Sequence, residues 1–119
     1  FVTGGEYQAW AEAMLGQTTT DVIESIHADY CLISASGIGD LQCFHPYEAS
    51  VQVKRAMMTS AAESILLLDH SKLNRRALHT FASMTDFDQV IVDSFTPASV
   101  VSDLRERGVN VVQAQPATT

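Results

Sequence analysis

Five of the seven basic residues, Lys54, Arg55, Lys72, Arg75 and Arg76, fall between positions 54 and 76 of a chain whose 14 acidic residues give it a net charge of −7. Cations grouped in this way suit an anionic ligand, because a phosphate entering an acidic protein needs local compensation. Lys72 closes the string Asp69-His70-Ser71-Lys72, which follows directly on the apolar run Ile65-Leu66-Leu67-Leu68. There an ammonium can neutralise a phosphate, while Asp69 either contacts a ligand or caps loop amides. Ser34-Ala35-Ser36-Gly37 follows a second apolar run, and its hydroxyls and small residues suit phosphate or sugar oxygens approaching the backbone. Gly4-Gly5 follows Phe1-Val2, and paired glycines there allow a tight turn at positive φ.

Other chemistries have little support. Cys31 and Cys43 lack CxxC spacing and read as free thiols, and His27, His45, His70 and His79 stand singly, so neither a metal nor another cofactor is expected. The acidic balance argues against direct contact with nucleic acid by this segment. At 119 residues the chain has room for one core. No apolar run approaches the ~20 residues of a membrane span, and a cytoplasmic location is expected. The chain opens on Phe1-Val2-Thr3-Gly4-Gly5, like the middle of a fold, which predicts an N-terminally truncated domain.

The elements that position these residues follow from hydrophobic period. Ile65–Leu68 reads as a strand buried on both faces, its carboxyl end opening into a loop where ligands sit in α/β sheets. Before it, Pro46 can open a helix whose apolar face is Ala49, Val53, Met57 and Ala61, and on which Lys54 and Arg55 ride, Arg55 as a solvated residue. Asp21 and Glu24 stand at capping-box spacing for a helix to about His27, and 29–33 is strand-like. Residues 6–16 fit either a short helix or an irregular excursion, 40–45 shows no period, and 74–88 is mixed. Strands follow at 89–93 and 109–112, separated by a helix opened by Thr96-Pro97 and closed by Gly108. Residues 113–119 read as a frayed tail. Strands alternating with helices predict an α/β fold with a mostly parallel sheet.

Four strings in order, Thr3-Gly4-Gly5-Glu6, Ser34-Ala35-Ser36-Gly37-Ile38, Val53-Lys54-Arg55-Ala56-Met57 and Asp69-His70-Ser71-Lys72, followed by a strand ending at Asp93, resemble the C-terminal sensor domain of the DeoR family of bacterial transcriptional regulators. The resemblance implies a three-layer α/β/α fold shared with ribose-5-phosphate isomerase and glucosamine-6-phosphate deaminase. It also implies a repressor of sugar metabolism, whose effector is a phosphorylated sugar or related metabolite and whose operator DNA is held by an N-terminal helix-turn-helix outside this chain. The effector-binding residues it implies are Gly4, Gly5, Ser34, Ser36, Gly37, Glu48, Lys54, Asp69 and Lys72. The family usually carries an acidic residue four positions before the lysine of the Val-Lys-Arg string; that position here is Ser50, and the nearest carboxylate is Glu48.

Isomerases of this fold place aspartates in the loop after the strand equivalent to Tyr30–Ile33 and a glutamate directly before the helix lysine. Ser34-Ala35-Ser36-Gly37 and Val53 stand at those places, so a sensor without catalytic residues is expected rather than an isomerase-like enzyme. Palindromic operators further predict a homo-oligomer, held through Val100, Val101 and Leu104 or through the edge at 109–112.

Overall fold

The computed structural model describes residues 2–116, so Phe1 of the opening string and the last three residues of the expected tail lie outside the described residues. A hairpin of β1 (Glu6–Gln8) and β2 (Ala13–Leu15) leads into helix α1 (Gln17–Glu24). Then come β3 (Ala28–Ser34), β4 (Gly37–Gly39), β5 (Gln42–His45), helix α2 (Glu48–Ser60) and β6 (Ala61–Leu68). The chain continues through β7 (His79–Ser83), β8 (Gln89–Val92), helix α3 (Ala98–Glu106) and β9 (Val111–Gln113).

The main sheet is parallel throughout, in the order β3-β6-β8-β9. A smaller antiparallel sheet, β4-β5-β7, stands beside it. The mixed α/β architecture and parallel sheet expected from the alternation of strands and helices are therefore present.

Burial alternates along the strands. On β6, Ser64, Leu66 and Leu68 are buried, while Leu67 between them is 40% exposed. The inward face joins Cys31, Ile33, Val90, Val92 and Val111 to Val51 of α2 and to Val101 and Leu104 of α3 in one core. The outward face carries Tyr30, Leu32, Leu67 and Val112, all exposed. The strand expected to be buried on both faces is thus covered on one among the described residues, and helices on a second face are not seen there.

Several local expectations are corrected. Residues 6–16 form a hairpin, because Ala11 and Glu12 donate backbone N–H bonds to the Gln8 and Ala9 carbonyls and turn the chain, with Glu12 at φ +50°. Helix α1 begins at Gln17 rather than Asp21, so the capping box drawn from Asp21 falls inside the helix, where Gln17 donates to the Asp21 carboxylate at 2.7 Å. Helix α2 begins after Tyr47, leaving Pro46 outside, and Ala61 starts a strand. Its buried residues are Ser50, Val51 and Ala56, and Ala49 is exposed, so the inward face is rotated from the expected stripe. Residues 42–45 pair with β7 across a register shift between Cys43 and Phe44, which breaks the alternation a strand pattern needs. Val101, Leu104, Val109 and Val111 are buried in the core, whereas Val112 is exposed on β9, an edge strand of the parallel sheet.

Candidate functional site

Lys54 is carried inward on the second turn of α2, half-buried, and its ammonium donates to the Ser34 carbonyl at the carboxyl end of β3. It also stands 5.3 Å from the centroid of the Phe81 ring on β7. Burial lowers the Lys54 pKa, and no salt bridge among the described residues includes it. An ammonium so placed is held by a carbonyl and a ring face, without a countercharge.

Beside it opens a cavity of about 430 Å³, within the range of small-molecule sites. Lys54, His45, Ser36 and Ser50 supply its polar side, and Trp10 and Tyr47 pack ring on ring at 4.4 Å, tilted 54°, along its wall. No acidic residue lines it. The amino-terminal end of α2 forms part of the wall through Pro46, Tyr47 and Ser50, and no side chain caps that end. Uncapped first-turn amides and a nearby ammonium both favour an anion. The Tyr47 N–H donates to His45 Nδ1 at 3.2 Å, which puts the proton of the neutral ring on Nε2. Burial, then Lys54, holds the His45 pKa below the usual imidazole value, so the ring stays neutral near pH 7.

The residues singled out from the sequence are dispersed. Lys54 and Ser36 line the cavity and Ser34 contributes its carbonyl. Gly37 opens β4, where an added Cβ would stand 2.4 Å from the Arg75 carbonyl oxygen. Gly4 and Gly5 have φ +79° and +103° and lie against α1, where Thr19 donates to the Gly4 carbonyl at 2.7 Å. Gly5 borders a different cavity, with Leu15 and Thr18. Glu48 is exposed in the first turn of α2 and does not line the site.

Asp69 caps a short 3-10 turn, accepting the Ser71 N–H at 2.7 Å and the Ser71 hydroxyl, and Lys72 ends that turn. Neither lines the cavity beside Lys54. Next to them His70 Nδ1 and Asp93 Oδ2 approach to 2.6 Å, and Thr96 donates to the same carboxylate at 2.8 Å. Trp10, His45 and Tyr47 escaped the sequence reading because they come from a hairpin loop, a bulged strand and a helix start that carry no shared string, and Ser50 stood there only as a departure from the family pattern. A lone tryptophan beside glycine-bounded short segments was the available signal.

Among the described residues no cluster of His, Cys, Asp and Glu suited to a metal occurs, and no helix is long and apolar enough to cross a membrane. The chain is a mixed α/β domain with a parallel sheet, and its cavity beside Lys54 has basic and hydroxyl groups and no acidic residue in its lining. Comparison with known proteins gives it a family: the chain belongs to the DeoR C-terminal sensor domain family, whose model matches residues 1–94.

Three relatives extend the comparison. The glycerol-3-phosphate regulon repressor of Escherichia coli (strain K12) is 30% identical over 113 residues, covering 92% of this chain and 44% of that protein. The HTH-type transcriptional repressor GlcR of Bacillus subtilis (strain 168) is 29% identical over 107 residues, covering 90% and 41%. The HTH-type transcriptional regulator GlpR of Haloferax volcanii is 29% identical over 112 residues, covering 93% and 44%. The chain spans less than half the length of these curated relatives.

Proposed function

We propose that this chain is the effector-binding part of a cytoplasmic transcriptional repressor, taking a phosphorylated sugar or related metabolite in the cavity beside Lys54 and controlling operator binding by a helix-turn-helix segment outside it. The observation that carries this reading is the unpaired, half-buried Lys54 ammonium in a cavity without acidic lining, inside a chain of net charge −7. Ser36 and the uncapped start of α2 add donors for phosphate oxygens. Lys72, outside that cavity, takes a lesser part, as do Gly4, Gly5, Glu48 and Asp69, which also lie outside it, while Gly37 lets β4 pass close to Arg75.

The relatives named as regulators support a sensor over an enzyme. So does the lining of the cavity, which holds no carboxylate and whose one imidazole, His45, has its Nδ1 lone pair taken by the Tyr47 N–H, whereas aldose–ketose isomerisation needs a free base within hydrogen-bond reach of the substrate. Self-association belongs to the same proposal, because paired DNA-binding segments read symmetric operators as dimers. Calorimetric titration of the chain with phosphorylated sugars tests the reading. Micromolar to millimolar binding that is lost in Lys54→Met supports it, and sugar phosphate turnover or Lys54-independent binding contradicts it.

A further inference from the structure

The polar side of the cavity accounts for a phosphate; its aromatic wall has no part in that task. Trp10 is 55% and Tyr47 51% exposed, although both are large apolar side chains that a small domain ordinarily covers. Neither is loosely placed. The Trp10 indole N–H donates to Gln8 Oε1 at 3.0 Å, and the loop joining β1 and β2 is closed by two backbone hydrogen bonds. Tyr47 is fixed at the start of α2, with its N–H on His45. Two rings packed on each other at 4.4 Å and tilted 54° give the border of the cavity an angled, weakly polar aromatic corner with hydrogen-bond donors beside it.

Resting on the anion-binding reading above, we propose that this cavity selects the cyclic form of a sugar phosphate, with the Trp10 and Tyr47 rings packed on the C–H face of the sugar and His45 Nε2–H donating to a sugar oxygen. A sugar ring presents one rigid face of axial and ring C–H groups, which matches an aromatic surface in area and polarity. A three-carbon acyclic phosphate covers only part of that surface, and it loses rotational freedom on being laid against it. Ser50 adds a hydroxyl and no charge to the lining, which keeps the wall suited to the same contact.

Trp10 is the single tryptophan, so its emission reports directly on the wall. The chain is titrated with glucose 6-phosphate, ribose 5-phosphate, sn-glycerol 3-phosphate and inorganic phosphate, following tryptophan emission and heat in parallel. Native protein, Lys54→Met, Trp10→Ala and Tyr47→Leu are compared by heat. The expected result is that at least one cyclic probe binds about tenfold or more tighter than glycerol 3-phosphate and alters Trp10 emission. That preference should shrink to within about threefold in Trp10→Ala and in Tyr47→Leu.

Equal affinities for cyclic and acyclic probes, or a preference that survives both aromatic substitutions, overturns the ring-selection proposal while the phosphate site stands. Binding of no phosphorylated probe, or binding unaltered by Lys54→Met, overturns the phosphate site itself and ring selection with it. Circular dichroism of each variant establishes that the fold persists; the exposure of Trp10 and Tyr47 makes that the expected outcome.

Discussion

The Lys54 ammonium lies 5.3 Å from the centroid of the Phe81 ring while it donates to the Ser34 carbonyl, so α2, β7 and the end of β3 meet on one charge. Removing that charge separates binding from folding. Lys54→Met keeps the alkyl stem, and is expected to change stability by less than about 1 kcal/mol. Anion affinity should fall about tenfold to a hundredfold, the worth of a charge-assisted hydrogen bond. Lys72→Met, on its 3-10 turn outside the cavity, is expected to weaken binding by less than about threefold. Calorimetry and thermal melting of the two variants check both parts, and equal losses would move the phosphate toward Lys72.

Arg55 is exposed, as expected of a solvated helix residue, and it also donates through Nε to the Phe81 carbonyl at 3.3 Å and through Nη2 to the Thr80 carbonyl at 2.9 Å. It ties α2 to β7. Arg55→Ala is expected to cost about 1–2 kcal/mol, because two carbonyls lose a charged donor at a site that remains partly wet. Urea unfolding measures this, and a loss below a few tenths would return Arg55 to a solvent role.

The His70–Asp93 contact predicts a pH dependence whose sign follows from both partners. Hydrogen bonding to Asp93 raises the His70 pKa above its ordinary 6.5, so its contribution is full below that value and fades as pH rises through the raised one. Hydrogen bonding to His70 and then to Thr96 lowers the Asp93 pKa from 3.8 to about 2, so its contribution is present above 3.8 and is lost as pH falls through that interval. The pair therefore stabilises most between about pH 4 and 6.5. NMR titration should place the His70 midpoint above that of an ordinary histidine, and Asp93→Asn should bring it back down.

Both thiols are expected to be inert in the folded chain. Burial, then Asp86, pushes the Cys43 thiol up to about 12, which leaves about one thiolate in ten thousand at pH 8. Burial raises Cys31 also. A disulfide-exchange reagent should label neither residue at pH 8 until denaturant is added, and rapid labelling of the native chain would contradict the packing around β3 and β5.

Gly37→Ala is expected to destabilise by about 1–3 kcal/mol, since the new methyl carbon would meet backbone rather than a yielding side chain. Its nearest neighbours would be the Arg75 carbonyl oxygen at 2.4 Å and carbonyl carbon at 2.7 Å. Denaturant midpoints measure the loss. An unchanged midpoint would show that the segment around Arg75 moves freely.

The parallel sheet was legible where single strands announce themselves. The runs at 65–68 and 89–92 need no partner to be recognised, and Thr96-Pro97 with Gly108 brackets α3. The hairpin of β1 and β2 was not legible, because Tyr7, Trp10, Met14 and Leu15 satisfy a helical spacing while a left-handed Glu12 makes the turn. Strand β5 was hidden by its bulge, and the uncovered sheet face by a run of four apolar residues that reads as buried on both sides.

The candidate site was half visible. Lys54 and Ser36 stand in recognisable strings, but the cavity lies beside β3 and α2 rather than at the tip after Leu68. A sheet whose strands run in one unbroken order has no reversal among the described residues to open a crevice over its middle. The aromatic wall needed tertiary structure, since Trp10 and Tyr47 are brought together from segments with no common period.

That unbroken order also bears on how the molecule is assembled. Strands β3, β6, β8 and β9 follow one another in space as they do along the chain, so each finds its partner already formed when it emerges during synthesis. Loop closures stay short for a parallel sheet, and the search for each new pairing is confined to a single free edge. Pulse-labelled hydrogen exchange should accordingly record protection of β3 and β6 before β9, with the last strand joining a template rather than nucleating one.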